Sequence, residues 1–217
     1  NDYNYAIGSG DNASTVVPRL IGPVIGRLNT TINHILERGA RHLIIQGQFP
    51  QGCLSLYMTI FQGLATPVDY DSLGCITEVN RISARHNQLL REVVDNASKA
   101  YPKAEILYLD TCYACVYVHL LENAVSYYIS NTVDACDPRD ALRFSGQEGT
   151  TFVPRMVNTC TNPQNYLSWD SVHMTDATYG ILSTLFVTDR RFSSPYPNFL
   201  SRCASRVTST NSSMTPS

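Results

Sequence analysis

Two long amphipathic segments, each followed at once by a short apolar run, limit what this chain can fold into more than any other feature. Over residues 16–38 the apolar positions Leu20, Ile21, Val24, Ile25, Leu28, Ile32, Ile35 and Leu36 recur close to the 3.6-residue period of a helix. Pro18 suits the first turn of such a helix and Gly39 its end, while Pro23 and Gly26 are points where it can bend. Residues 42–47 then read as a short strand ending in glycine, and 48–53 as a loop. A second helix is predicted over 71–100, carrying Ile76, Val79, Ile82, His86, Leu89, Leu90 and Val93, with Pro102 marking its end. Residues 105–110 form a second strand, and a helical stretch follows near 113–123. The span 134–163, rich in Gly, Pro, Asn and Asp, reads as loop. A last helix runs from Thr175 and Asp176 to about Asp189, with Thr175 as its N-cap.

Helices that alternate with short apolar strands imply an α/β fold, a parallel sheet covered on both faces. Two strands cannot support this many amphipathic helices, so further strands of the same sheet are expected outside these residues. The chain has 217 residues, 43% of them hydrophobic, enough for one sizeable core or a large part of one. No repeat and no linker divides it. Residues 1–204 read as a portion of a single domain, and 205–217, rich in Ser and Thr, as a disordered tail.

The charge balance narrows the partners. A net charge of -2 with only 16% charged residues argues against nucleic acid, which wants a basic face. No apolar run reaches the roughly 20 residues that span a bilayer, and the polar, aromatic stretch opening at Asn1 is no signal peptide. Seven cysteines are unusual for a reduced cytosolic domain. Together with Asn-x-Ser/Thr sequons at Asn12, Asn29, Asn96 and Asn211, they point to the secretory route: outside the cell, in the cell wall or in a vacuole. A chain on that route without a leader is expected to have been processed.

The chemistry concentrates in Trp169-Asp170-Ser171-Val172-His173. A histidine that takes a proton from a hydroxyl at Nε2 needs a carboxylate at Nδ1. Asp170, three residues before His173, can supply it from one loop. The plainer alternatives are a surface or core histidine and a helix-capping carboxylate. His86 lies in a predicted helix and reads as structural, as do His34, His42 and His119. Cys112-Tyr113-Ala114-Cys115 has no second pair with the matched spacing that zinc wants. No Gly-x-Ser-x-Gly elbow is present, so this reading supplies a base and its orienter without a nucleophile.

The order and spacing of several further motifs carry a resemblance. They are Asn1-Asp2-Tyr3; Gly39-Ala40-Arg41; Gly47-x-Phe49-Pro50-x-Gly52-Cys53; Tyr70-Asp71-x-x-Gly74-Cys75; Asn80; His86-Asn87; Ala135-Cys136; Cys160-x-Asn162-Pro163; and Trp169-Asp170-x-x-His173-x-Thr175. Over Asn1 to about Tyr196 the chain resembles the plant GDSL esterase/lipases, a branch of the SGNH hydrolases. The resemblance implies a flavodoxin-like three-layer α/β/α sandwich with a central parallel sheet. Its nucleophile is the serine of a Gly-Asp-Ser-Leu motif after the first strand. A glycine amide and the asparagine of a Gly-x-Asn-Asp motif after the third strand form the oxyanion hole. Asn1 matches that asparagine, a donor worth about 3 kcal/mol in comparable sites; the plainer alternative is a frayed terminus.

By this resemblance the chain begins just past the third strand, and the nucleophile, the oxyanion glycine and the first strands lie upstream. Tyr70-Asp71-Ser72-Leu73 reads Asp-Ser-Leu only superficially, because it follows no strand and matches the Tyr-Asp-x-x-Gly-Cys segment. Cys53 with Cys75 and Cys136 with Cys160 read as two disulfides, each worth about 3 kcal/mol in the chain-entropy model. That leaves Cys112, Cys115 and Cys203. The chain departs from the family pattern at Ala135-Cys136-Asp137-Pro138, where Ala-Cys-Cys-Gly is usual, and at Gly47-Gln48, where Gly-Asn is usual.

The expected function is hydrolysis of a small carboxylic ester without metal or organic cofactor. An N-terminal segment of the same precursor, carrying Gly-Asp-Ser-Leu, is the expected partner. Two other readings stand beside it: a non-catalytic glycoprotein for binding, storage or defence, and an acyltransferase in which an alcohol replaces water.

Overall fold

The computed structural model describes residues 2–11, 13–62, 69–124, 162–169 and 172–195. Asn1, Asn12, Cys136, Cys160, Asp170, Cys203, Asn211 and the 205–217 tail lie outside the described residues. The helical run near the start is longer than the periodicity predicts. Helix α1 spans Asp2–Gly8, α2 spans Ala13–Val16, and α3 spans Gly22–Glu37. A π-helical turn at Val17–Ile21 joins α2 to α3 without a break. Pro18 sits in this wide turn, where a residue lacking an N–H leaves the α-helical ladder incomplete. Helix α3 stops in a Schellman motif. Gly39, at φ +102°, donates to the Leu36 carbonyl at 3.0 Å, and Ala40 donates to Ile35 at 3.2 Å.

Strand β1 covers His42–Gln46 and β2 covers Glu105–Leu109; they pair in parallel, His42 opposite Glu105. The connection between them contains a 3₁₀ turn at Gln51–Cys53, helix α4 at Ser55–Gln62 and helix α5 at Thr77–Ala100. Helix α5 buries Val79, Ile82, Ser83, His86, Asn87, Leu90, Val94 and Ala97, a stripe at three- and four-residue steps. That stripe, the buried residues of α3 and the inner residues of both strands make the main core.

Helix α5 begins six residues later than the sequence predicts. Residues 70–76 instead form a hairpin, with Tyr70 bridged to Ile76. The Asp71 carboxylate accepts from the Leu73 and Cys75 N–H groups at 2.9 and 3.0 Å, and Gly74 sits at φ +78°. An aspartate that bonds its own following backbone competes with helix, and here it wins.

Helix α6, Thr111–Ala124, starts where the Asp110 carboxylate accepts from the Tyr113 N–H at 3.1 Å. Helix α7, Asp176–Thr188, has Thr175 as its N-cap, as the sequence predicts. A two-residue strand, β3 at Ser193–Ser194, runs antiparallel to β2. The sheet among the described residues is therefore mixed, in the order β1-β2-β3. A second, smaller core forms from Ala114, Val118, Leu182 and Phe192. The outer edge of β1 carries no strand among the described residues, and Ile44 on it is 50% exposed beside buried Leu43.

Candidate active site

His173 stands on a loop tied down at both ends. Ser168 and Met174 form an antiparallel bridge, and the Trp169 N–H donates to the His173 carbonyl at 2.8 Å. Below them, the Thr175 N–H donates to Leu167 at 2.9 Å, and the Thr175 hydroxyl donates to Tyr166 at 2.6 Å. The same Thr175 oxygen accepts from the Thr178 N–H, so one side chain caps α7 and anchors the loop. His173 is exposed. Asp170, its expected orienter, lies outside the described residues, as does Asn1. The chain just after Asn1 is held from two sides. Tyr3 meets His86 of α5 in a buried hydrogen bond of 2.8 Å from its hydroxyl to Nδ1, and the Tyr57 hydroxyl donates to Asn4 at 2.6 Å.

Burial lowers the His86 pKa from its ordinary value, which keeps the ring neutral at neutral pH, in line with a structural role. Burial, then the Asp2 carboxylate, pushes the Tyr3 hydroxyl up to about 12. The two free cysteines of α6 are also poor nucleophiles. Burial, then Asp110, pushes Cys112 up to about 11. Burial, then Cys112 and Asp110, pushes Cys115 up to about 12. No group of three or more metal-ligating side chains occurs among the described residues.

The loop after β1 is built by glycines and asparagines. A Cβ on Gly47 would collide with the Tyr108 hydroxyl, and one on Gly52 with the Ile76 carbonyl. Asn87 brackets residue 48: its Oδ1 accepts from the Gln48 N–H at 2.7 Å and its Nδ2 donates to the Gln48 carbonyl at 2.8 Å. Asn80 accepts from the Gly52 N–H at 2.8 Å. The Cys53–Cys75 disulfide fastens this loop to the 70–76 hairpin. Ser72, in that hairpin, is exposed on a turn rather than on a strand-to-helix elbow.

Between the loop after β1, helix α6 and the histidine loop lies an apolar cleft of about 50 Å³. Its lining includes Pro50, Leu54, Ser55, Leu73, Cys115, Val118, Leu167, Ser168, Met174 and Leu182. The first of these follow the C-terminal end of β1, and those of α6 follow the end of β2. Open α/β sheets bind ligands at that end. Sequence reasoning did not single out these residues, because an apolar cleft wall and a core share one pattern.

A parallel strand pair carrying packed helices, with a histidine loop beside the cleft at the C-terminal end of the strands, defines an α/β protein. The chain belongs to the GDSL family: the model of the GDSL-like lipase/acylhydrolases matches residues 1–186. Among its curated relatives, the GDSL esterase/lipase At5g03980 of Arabidopsis thaliana is 31% identical over 185 residues, covering 84% of this chain and 55% of the relative. The Arabidopsis thaliana GDSL esterase/lipase At1g28570 is 31% identical over 187 residues, covering 84% of this chain and 46% of the relative. The chain thus spans about half the length of the curated relatives it matches.

Proposed function

We propose that this chain forms the histidine half of a secreted GDSL carboxylic-ester hydrolase whose nucleophilic serine comes from an N-terminal segment of the same precursor. In this reading the serine attacks the ester carbonyl while His173 takes its proton at Nε2. Asp170 holds the ring through Nδ1, and Asn1 donates its amide to the developing oxyanion. The alcohol leaves with the proton from His173, and water repeats the sequence to release the acid. The observation that carries the proposal is the anchored, exposed His173 loop at the C-terminal end of a sheet whose β1 edge carries no strand among the described residues. The completing segment would pair with that edge. Exposure of Asn29 on α3 and Asn96 on α5 supports glycosylation there and passage along the secretory route.

The test joins the chain to the precursor segment that contains Gly-Asp-Ser-Leu and adds a serine-reactive fluorophosphonate. The expected result is labelling of that upstream serine together with ester turnover. His173→Ala should lower kcat/KM by about 10²–10⁴-fold. Labelling of a serine within residues 1–217, or no labelling and no turnover, would overturn the proposal; the latter leaves a binding or storage protein. Turnover that yields a new ester when alcohol is added would instead mark an acyltransferase.

A further inference from the structure

Four polar side chains of α5 each hold something outside the helix. The Asn80 carboxamide accepts from the Gly52 N–H at 2.8 Å, and the Ser83 hydroxyl accepts from the Gln51 N–H at 3.3 Å. His86 meets the Tyr3 hydroxyl, and Asn87 grips residue 48 by both its N–H and its carbonyl. The loop after β1 is thus held at residues 48, 51 and 52 from one helix and tied at Cys53 to the 70–76 hairpin. A loop held in this way presents a side chain in one geometry. Gln48 is such a side chain. It is half-buried, and its Oε1 accepts from the Gln51 Nε2 at 3.0 Å. That bond uses the Gln48 oxygen and leaves its NH₂ group as a donor. Gln51 is 5% exposed, and its Oε1 has no hydrogen-bond partner among the described residues. Exchanging oxygen and nitrogen in both carboxamides preserves the bond between them and still leaves a buried polar atom of Gln51 unpaired. Ser55, 3% exposed, adds a second unpaired oxygen on the same stretch, and it lines the cleft that Ser168 and Met174 of the histidine loop also line. Buried polar atoms of native proteins are as a rule paired, so those left over mark where a group from outside completes them.

From this arrangement we infer that the Gln48–Gln51 carboxamide pair binds a hydroxyl group of the substrate beside the ester under attack. This rests on the esterase reading above and adds a class of substrate, the hydroxyl-bearing ester. A hydroxyl both accepts and donates, so it takes the Gln48 N–H and gives its own proton to the Gln51 oxygen. An ether or ester oxygen accepts without donating and leaves the Gln51 oxygen unpaired. Gln48 stands where the family pattern usually has asparagine, and it is this side chain, longer by one methylene, that Gln51 anchors. The pair is therefore a selectivity device of this chain.

The test uses the chain joined to its N-terminal precursor segment and two matched pairs of esters. Nitrophenyl lactate against nitrophenyl propionate asks for a hydroxyl on the acid. Glyceryl monobutyrate against propyl butyrate asks for one on the alcohol. In at least one pair the hydroxylated ester should have the higher kcat/KM by about tenfold or more. Gln48→Ala and Gln51→Met should each bring that ratio down toward one. Circular dichroism and the melting temperature confirm that each variant folds, and the ratio within a pair cancels any general loss of activity. Folded variants that both keep the parent's ratio would make the carboxamide pair structural and overturn the inference. Equal turnover within both pairs, or preference for the plain ester in both, would overturn it as well. Either result leaves the esterase intact. No turnover of any ester and no fluorophosphonate labelling would remove the esterase reading and the hydroxyl site together.

Discussion

Gly52 has a side-chain position already occupied by other parts of the chain. A Cβ there would run into the Ile76 carbonyl and crowd Asn80, whose Oδ1 receives the Gly52 N–H. Gly52→Ala should therefore destabilise the fold by about 1–3 kcal/mol, the usual cost of overpacking, read as a lowered midpoint in urea. The motif Gly47-x-Phe49-Pro50-x-Gly52-Cys53 was legible as a motif, but its reason was not, because the atoms that forbid a side chain come from the 70–76 hairpin, helix α5 and strand β2. His86 shows the same division. Its helix was legible, and its partner Tyr3, 83 positions away, was not. Burial lowers the His86 pKa, so the unfolded chain binds the proton more readily than the folded one. The stability held by the neutral ring is complete above the unfolded value of about 6.5 and is lost as pH falls through the folded value. Chemical denaturation from neutral pH downward should show falling stability, and His86→Gln should flatten that part of the curve. An unchanged slope in the variant would refute the assignment.

At the scale of elements, the 70–76 hairpin decides where α5 begins. The apolar period runs on through Ile76 in phase with the helix, which is why the sequence places the start at residue 71. What stops it is the Asp71 carboxylate holding two N–H groups, together with Gly74 at positive φ. Local side-chain competition of this kind leaves no mark on periodicity. The Cys53–Cys75 disulfide, with a sequence separation of 22, then pins the hairpin to the cleft loop. The chain-entropy account assigns a loop of that length about 3 kcal/mol. Reduction, or the double change Cys53→Ser with Cys75→Ser, should cost about that much in a denaturant series. Cys112 and Cys115 offer a contrast on α6. Their thiols are held protonated by burial, so iodoacetamide at neutral pH should label them only once the protein is unfolded. Rapid labelling of the folded protein would contradict their placement.

For the whole molecule, the α/β class was legible from two helix–strand alternations, because the parallel pair β1 and β2 needs exactly such a crossover helix between them. The antiparallel β3 was not legible, since two serines carry no strand pattern. The histidine loop stood out in the sequence through Asp170 and His173, whereas the cleft beside it emerged only when three distant segments came together. The edge of β1, which carries no strand among the described residues, sets the largest energetic question. An edge strand that carries no further strand among the described residues and holds a half-exposed Ile44 is a template for pairing with another strand. If the proposed N-terminal segment fills it, residues 1–217 alone should bind a hydrophobic dye such as ANS and self-associate in sedimentation velocity. Joined to the segment, the protein should be monomeric, should lose the dye signal and should melt cooperatively. Pairing a free edge and covering its apolar face removes surface from water at about 25 cal/mol per Å², and even a few hundred Å² is then comparable to the whole stability of a domain, about 5–15 kcal/mol. A monomeric, cooperatively melting 1–217 chain that ignores both the dye and the segment would mean that β1 is a finished edge, and the two-part esterase would fall with it.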